Sequence, residues 1–128
     1  MSKRRVVVTG LGIISPVGNS VAAAWDNLTA GRSGIGPITK FDASAMASRI
    51  AGEVRGFDVT QYLSAKEARR MDSFIHYGLA AGMDAFKDSG IEVTDANRER
   101  IGVNIGSGIG GLLLIEETHD VYTKDGPR

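Results

Sequence analysis

The chain has 128 residues, 42% of them hydrophobic and 23% charged, and its 15 basic side chains balance its 15 acidic ones. That length fits one ordinary domain, and a net charge of zero offers neither nucleic acid nor an anionic membrane a general binding surface. No cysteine is present, which removes disulfides, thiolate metal sites and a cysteine nucleophile from these residues, and no apolar run nears the roughly 18 residues needed to span a bilayer.

Glycine is the outlier, at 17 of 128 residues, roughly twice ordinary usage. The glycines stand at the ends of apolar runs, marking tight turns and close packing. The opening is basic, with Lys3, Arg4 and Arg5, but only Val6, Val7 and Val8 follow before Thr9 and Gly10. That is too short for the apolar part of a secretion signal, so a cytoplasmic protein is expected.

In chain order, residues 4–9 hold the valine run and read as a strand buried on both faces. Residues 10–18 are a turn-rich connection in which Pro16 and Gly18 delay the next helix. Asn19 or Ser20 caps a helix predicted over 21–30, with Val21, Trp25 and Leu28 on one face and Gly31 as its stop. Residues 31–47 read as irregular, broken by Gly34, Gly36 and Pro37. Residues 48–54 alternate weakly, Ile50 and Val54 against Arg49 and Glu53, as an edge strand would.

Ser64 and Glu67 form a capping box for a helix predicted over 65–71, on which Lys66, Arg69 and Arg70 project together. Asp72 is placed as the cap of the next helix, over 73–88. Ile75, Leu79, Met83 and Phe86 give that helix an apolar stripe, while Gly78, Ala81, Gly82 and Ala85 give it a face of small residues where another backbone can approach. Gly90 ends it. A polar turn from Thr94 leads to a strand over 101–105, a glycine loop over 106–111 and a last helix over 112–123. The order β-α-β-α-β-α predicts an α/β protein with a mostly parallel sheet covered by helices.

Gly106, Gly108 and Gly111 satisfy G-x-G-x-x-G, which raises a Rossmann-type dinucleotide site. The acid expected about 20 residues further on would lie beyond Arg128, however. The other strand-glycine junction, at residues 10–15, has Ser15 and Pro16 where its helix should begin. Ser15, Ser107 and Thr9 are hydroxyls without an evident base. His76 and His119 sit on separate helices and read as ordinary helix-surface histidines, and neither a metal site nor a cofactor is expected. Lys66, Arg69 and Arg70 suit an acidic protein or a phosphate, although a solvated helix face partly balanced by Glu67 explains them as simply.

Longer ordered motifs carry a more specific resemblance. Val6-Val7-Val8-Thr9-Gly10-Leu11-Gly12-Ile13-Ile14-Ser15-Pro16-Val17-Gly18-Asn19, then Trp25, Gly31, Ser33 and Gly34, then Phe41-Asp42, resemble the opening of elongating β-ketoacyl-[acyl-carrier-protein] synthases. Lys66, Arg69-Arg70-Met71-Asp72, Asp88-Ser89-Gly90 and Asn104-Ile105-Gly106-Ser107-Gly108-Ile109-Gly110-Gly111 continue it in order along essentially the whole chain. The nearest type is the bacterial synthase II.

The resemblance implies the N-terminal part of a thiolase-like α-β-α-β-α layered sandwich, in a homodimeric cytoplasmic enzyme of fatty-acid elongation. It implies a decarboxylative Claisen condensation between an acyl thioester and malonyl carrier, run by one cysteine and two histidines that lie downstream, so no catalytic residue is expected in this segment. A thiolate at a helix N-terminus is how such a cysteine becomes nucleophilic. By position, Ile109 with Gly108 matches the gate of the acyl pocket, and Lys66, Arg69, Arg70 and Arg128 match basic positions that receive the acidic acyl carrier protein. Residues 1–128 are then an incomplete N-terminal portion, expected to be inactive and not to fold stably alone. A non-catalytic module that only binds the carrier protein is the remaining alternative.

Overall fold

The computed structural model describes residues 3–127. In chain order it contains helix α1 (Val21–Thr29), strands β1 (Ile35–Pro37) and β2 (Ile50–Gly52), and helices α2 (Ala65–Ala68), α3 (Ser73–Ser89) and α4 (Leu112–Asp125). Single 3-10 turns at Val59–Gln61 and Arg98–Arg100 punctuate the connections. The residues group into two compact units, one of Met1–Asp58 with Ala80–Ile91 and one of Val59–Leu79 with Glu92–Arg128. Helix α3 therefore serves both, its first half in the second unit and its second half in the first.

In the first unit, α1 begins where Ser20 Oγ accepts the amide of Ala23 at 3.2 Å. Its buried residue is Ala24. The turn before it closes on itself through Ser15 and Gly18, with backbone bonds of 3.0 and 3.1 Å in the two directions. Pro16 then packs over Gly34 and Gly52, where any Cβ would meet its ring, and Asn27 Nδ2 donates to the Val17 carbonyl at 2.6 Å. Strands β1 and β2 pair antiparallel, Ile35 facing Gly52 and Pro37 facing Ile50. Glu53, only 8% exposed, accepts from the Thr39 amide at 2.9 Å, the Thr39 hydroxyl at 2.7 Å and the Lys40 amide at 3.2 Å. A buried carboxylate is tolerated when donors surround it in this way.

The small face of α3 receives a backbone as expected. A Cβ on Gly10 would strike the Ala85 carbonyl, and one on Gly12 the Ala81 carbonyl, so the segment at Gly10–Gly12 lies directly on the helix. The Leu11 amide donates to Asp88 Oδ2 at 2.9 Å and fixes the register of that contact. Ala80 is fully enclosed, at 0% exposure.

The strands behave differently from expectation. Among the described residues, neither 4–9 nor 101–105 pairs with another strand, and the two-stranded antiparallel β1-β2 sheet replaces the predicted parallel one. Val6 is 95% exposed and Val103 84%. Their β-branched side chains signal a site for burial on both faces, but no described neighbouring strand supplies it. The partner of β2 forms instead at Ile35–Pro37, inside the stretch read as irregular; Pro37 is tolerated at the end of an edge strand because the missing amide costs little there. Helix α2 is also shorter than predicted and ends at Ala68.

Candidate functional site

The second unit gathers the residues that the sequence singles out. The Ser64–Glu67 capping box starts α2: Ser64 Oγ accepts the Glu67 amide at 3.3 Å, and Glu67 Oε2 accepts the Ser64 amide at 3.1 Å and the Ser64 hydroxyl at 2.6 Å. These bonds hold the Glu67 carboxyl below the ordinary glutamate range, the Ser64 hydroxyl contributing most. Glu67 is thus committed to the helix cap, not to balancing the cations beside it. Lys66 on α2 and Arg69 and Arg70 just after it are exposed, and Arg69 Nε bonds back to the Ala65 carbonyl at 3.2 Å. Arg128 lies outside the described residues.

At the α2–α3 junction the chain turns so that Arg69 and Arg70 rim a groove of about 470 Å³ shared with Leu113, Leu114 and Glu117 of α4. His76 is half-buried, not on the surface as expected, and its Nε2 donates to the Ala68 carbonyl at 2.9 Å, bracing α3 against the end of α2. His119 keeps its surface position beside Asp120, Nδ1 to Oδ1 at 3.8 Å. Ser15 spends its hydroxyl on the Gly18 carbonyl, while Thr9 and Ser107 are exposed. Among the described residues no three His, Asp or Glu side chains stand together to hold a metal ion.

The glycine loop lies beside the first half of α3. Ile109 is 78% exposed, and around Gly108 a Cβ would find nothing within 4 Å. Phe74, Ile75, Gly78, Leu79, Ile105 and Gly106 line an apolar depression of about 320 Å³ alongside it, with Ser107 at its edge. Gly110 takes φ +70°, a conformation that favours glycine.

One residue in this unit escaped the functional reading of the sequence. Asp72 caps α3 as its place in the sequence predicts, its carbonyl accepting the Ile75 amide at 3.0 Å. Its carboxylate reaches further: Oδ1 accepts the Ser73 amide at 2.5 Å, and Oδ2 accepts the Leu114 amide of α4 at 3.2 Å. Burial raises its pKa, but the bonds from Leu114 and Ser73 and the nearby His76 outweigh that and hold it below the ordinary aspartate range. Only the tertiary fold reveals this, because the two residues are 42 apart.

The same bond argues against the dinucleotide reading. A phosphate would need the free amides at the start of α4, and one of those already faces the Asp72 carboxylate, a like charge where the phosphate would sit. The strand that should precede the loop is also absent among the described residues.

Comparison with known proteins agrees with this. The sequence profile described as the N-terminal domain of beta-ketoacyl synthase matches residues 3–127. The 3-oxoacyl-[acyl-carrier-protein] synthase 2 of Vibrio cholerae serotype O1 is 59% identical over 128 residues, covering 100% of this chain and 31% of its own length. The chain thus spans about a third of the length of that relative. Among solved structures, the ishigamide ketosynthase/chain length factor superposes with a TM-score of 0.78 at 29% identity, over 98% of this chain and 31% of that one. The apo AntDE:AntF complex, a type II PKS acyl-carrier protein with its ketosynthase bound to the hexaketide, gives 0.74 at 29% identity, over 97% of this chain and 32% of that one.

Proposed function

Because the chain belongs to the beta-ketoacyl synthase family, we propose that it forms the opening part of a 3-oxoacyl-[acyl-carrier-protein] synthase that elongates fatty acids, folded as the N-terminal part of a thiolase-like layered sandwich in a cytoplasmic homodimer. The likeness from end to end to synthases of that one type carries this reading. In the reaction, malonyl carrier loses carbon dioxide, and the carbanion left behind attacks an acyl thioester held on cysteine. A carbon–carbon bond forms, the carbon–sulfur bond to cysteine breaks, and the thiolate is returned. This chain has no cysteine, so the nucleophile is assigned to residues beyond these 128.

Two tasks fall to the segment itself. Lys66, Arg69, Arg70 and Arg128 receive the acidic carrier protein. The exposure of the first three and the engagement of Glu67 elsewhere support this, since no carboxylate of their own helix competes for them. Ile109, freed by Gly108, gates the acyl pocket; the apolar depression beside its loop supports that role. Incubating the full-length protein with acyl- and malonyl-carrier thioesters tests the reading: β-ketoacyl product is expected from it and none from residues 1–128 alone. Product from the isolated segment would refute the placement of the nucleophile.

A further inference from the structure

The two sides of the glycine loop are held differently. At Gly106 and Gly108 a Cβ would meet nothing within 4 Å, so that side is open. On the other side a Cβ on Gly110 would stand 3.1 Å from Phe74 Cζ, and one on Gly111 would stand 3.1 Å from Asp72 Oδ2. Ile109 therefore sits between a loose arm and a packed one.

The packed arm has an unusual anchor. Gly111 begins α4 without any side chain of its own to cap the helix. Leu114 is the third residue of that helix, and its amide is one of the donors that a local cap would ordinarily satisfy. Asp72 supplies the acceptor from the α2–α3 junction, and its charge also complements the positive end of the 14-residue helix. Arg69 and Arg70, three and two residues before this anchor, rim the adjoining groove.

We propose that Asp72 is a positioning residue for the glycine loop: by capping α4 from outside, it fixes the pivot on which Ile109 swings and thereby limits admission of long acyl chains. This rests on the reading of Ile109 as the gate. A firmly capped α4 keeps Gly110 and Gly111 against Phe74 and Asp72, leaving Ile109 only the open side in which to move. Losing the cap frays the first turn of α4 and loosens the pivot, which favours substrates that need the gate displaced.

The test uses the full-length protein with long- and short-chain acyl-carrier thioesters, measured on the same preparation so that the folded fraction cancels from their ratio. Asp72→Ala should raise the long-to-short kcat ratio about fivefold, the weight of one helix cap, with KM for carrier changed by less than about twofold, since the docking cations remain. Hydrogen exchange at the Leu114 amide should accelerate in step. Asp72→Asn retains an acceptor oxygen and should recover most of both effects. Ile109→Ala separates the two claims. If it leaves the ratio unchanged, the gate reading fails and the proposal with it. If Ile109→Ala shifts the ratio while Asp72→Ala leaves it unchanged or lowers it, the gate stands and the role of Asp72 is overturned.

Discussion

At the scale of single residues, the carboxylates carry the clearest physical consequences. Glu53 is nearly enclosed, and the Thr39 hydroxyl, then the Thr39 amide, hold its pKa below the ordinary glutamate range against the opposing effect of burial, with Lys40 and Arg55 assisting. Asp42, Glu67 and Asp72 are shifted in the same direction by their own donors. A carboxylate whose folded pKa is depressed contributes stability that is present above its unfolded pKa and is lost as pH falls through the folded one. Acidification below about pH 4 should therefore release the Thr39 and Lys40 amides, read as falling hydrogen-exchange protection. Glu53→Gln should reduce that protection at neutral pH and flatten its dependence on acid; an unchanged acid profile would show that Glu53 does not carry it. Ile109 makes a prediction at the same scale. In the full-length protein, Ile109→Phe should penalise long acyl chains about tenfold more than short ones, and equal losses at every chain length would remove the gate.

At the scale of elements, close packing on α3 is the most exposed to challenge. Gly12 has no room for a side chain over the Ala81 carbonyl, so Gly12→Ala must push the segment off the helix, at about 1–3 kcal/mol, measurable by denaturant unfolding. Ser20→Ala should cost about 1 kcal/mol through the lost α1 cap. Much of this was readable in the sequence, because caps and small-residue faces are local patterns. Ser20, the Ser64–Glu67 box and the Ala81 and Ala85 face all stand where the residues put them. The strands were not readable in the same way. The valines at 6–8 announce burial without naming a partner, and β1 pairs through Gly36 and Pro37, which look like breakers until β2 is beside them. The second bond of the Asp72 carboxylate was hidden for a related reason: its place before α3 shows in the sequence, but nothing near it hints at Leu114 of α4.

At the scale of the whole molecule, the second unit places cations and glycine loop on neighbouring elements: Lys66, Arg69 and Arg70 on and just after α2, Ile109 just before α4, with Asp72 bonded to both α3 and α4. That arrangement supports the proposed roles of the cations in carrier docking and of Ile109 as the acyl gate. Residues such as Val6 and Val103 leave large apolar surfaces exposed among the described residues, which fits a chain spanning about a third of the length of its relatives. Carrier recognition by Lys66, Arg69 and Arg70 can be isolated in one kinetic comparison. In the full-length protein, Lys66→Glu, Arg69→Glu and Arg70→Glu are combined, and KM is measured for an acyl-carrier thioester and for the same acyl group on coenzyme A. KM for the carrier substrate should rise about tenfold or more at low salt while that for the coenzyme A thioester stays unchanged; equal KM values for the carrier substrate before and after reversal would rule out docking through these three cations.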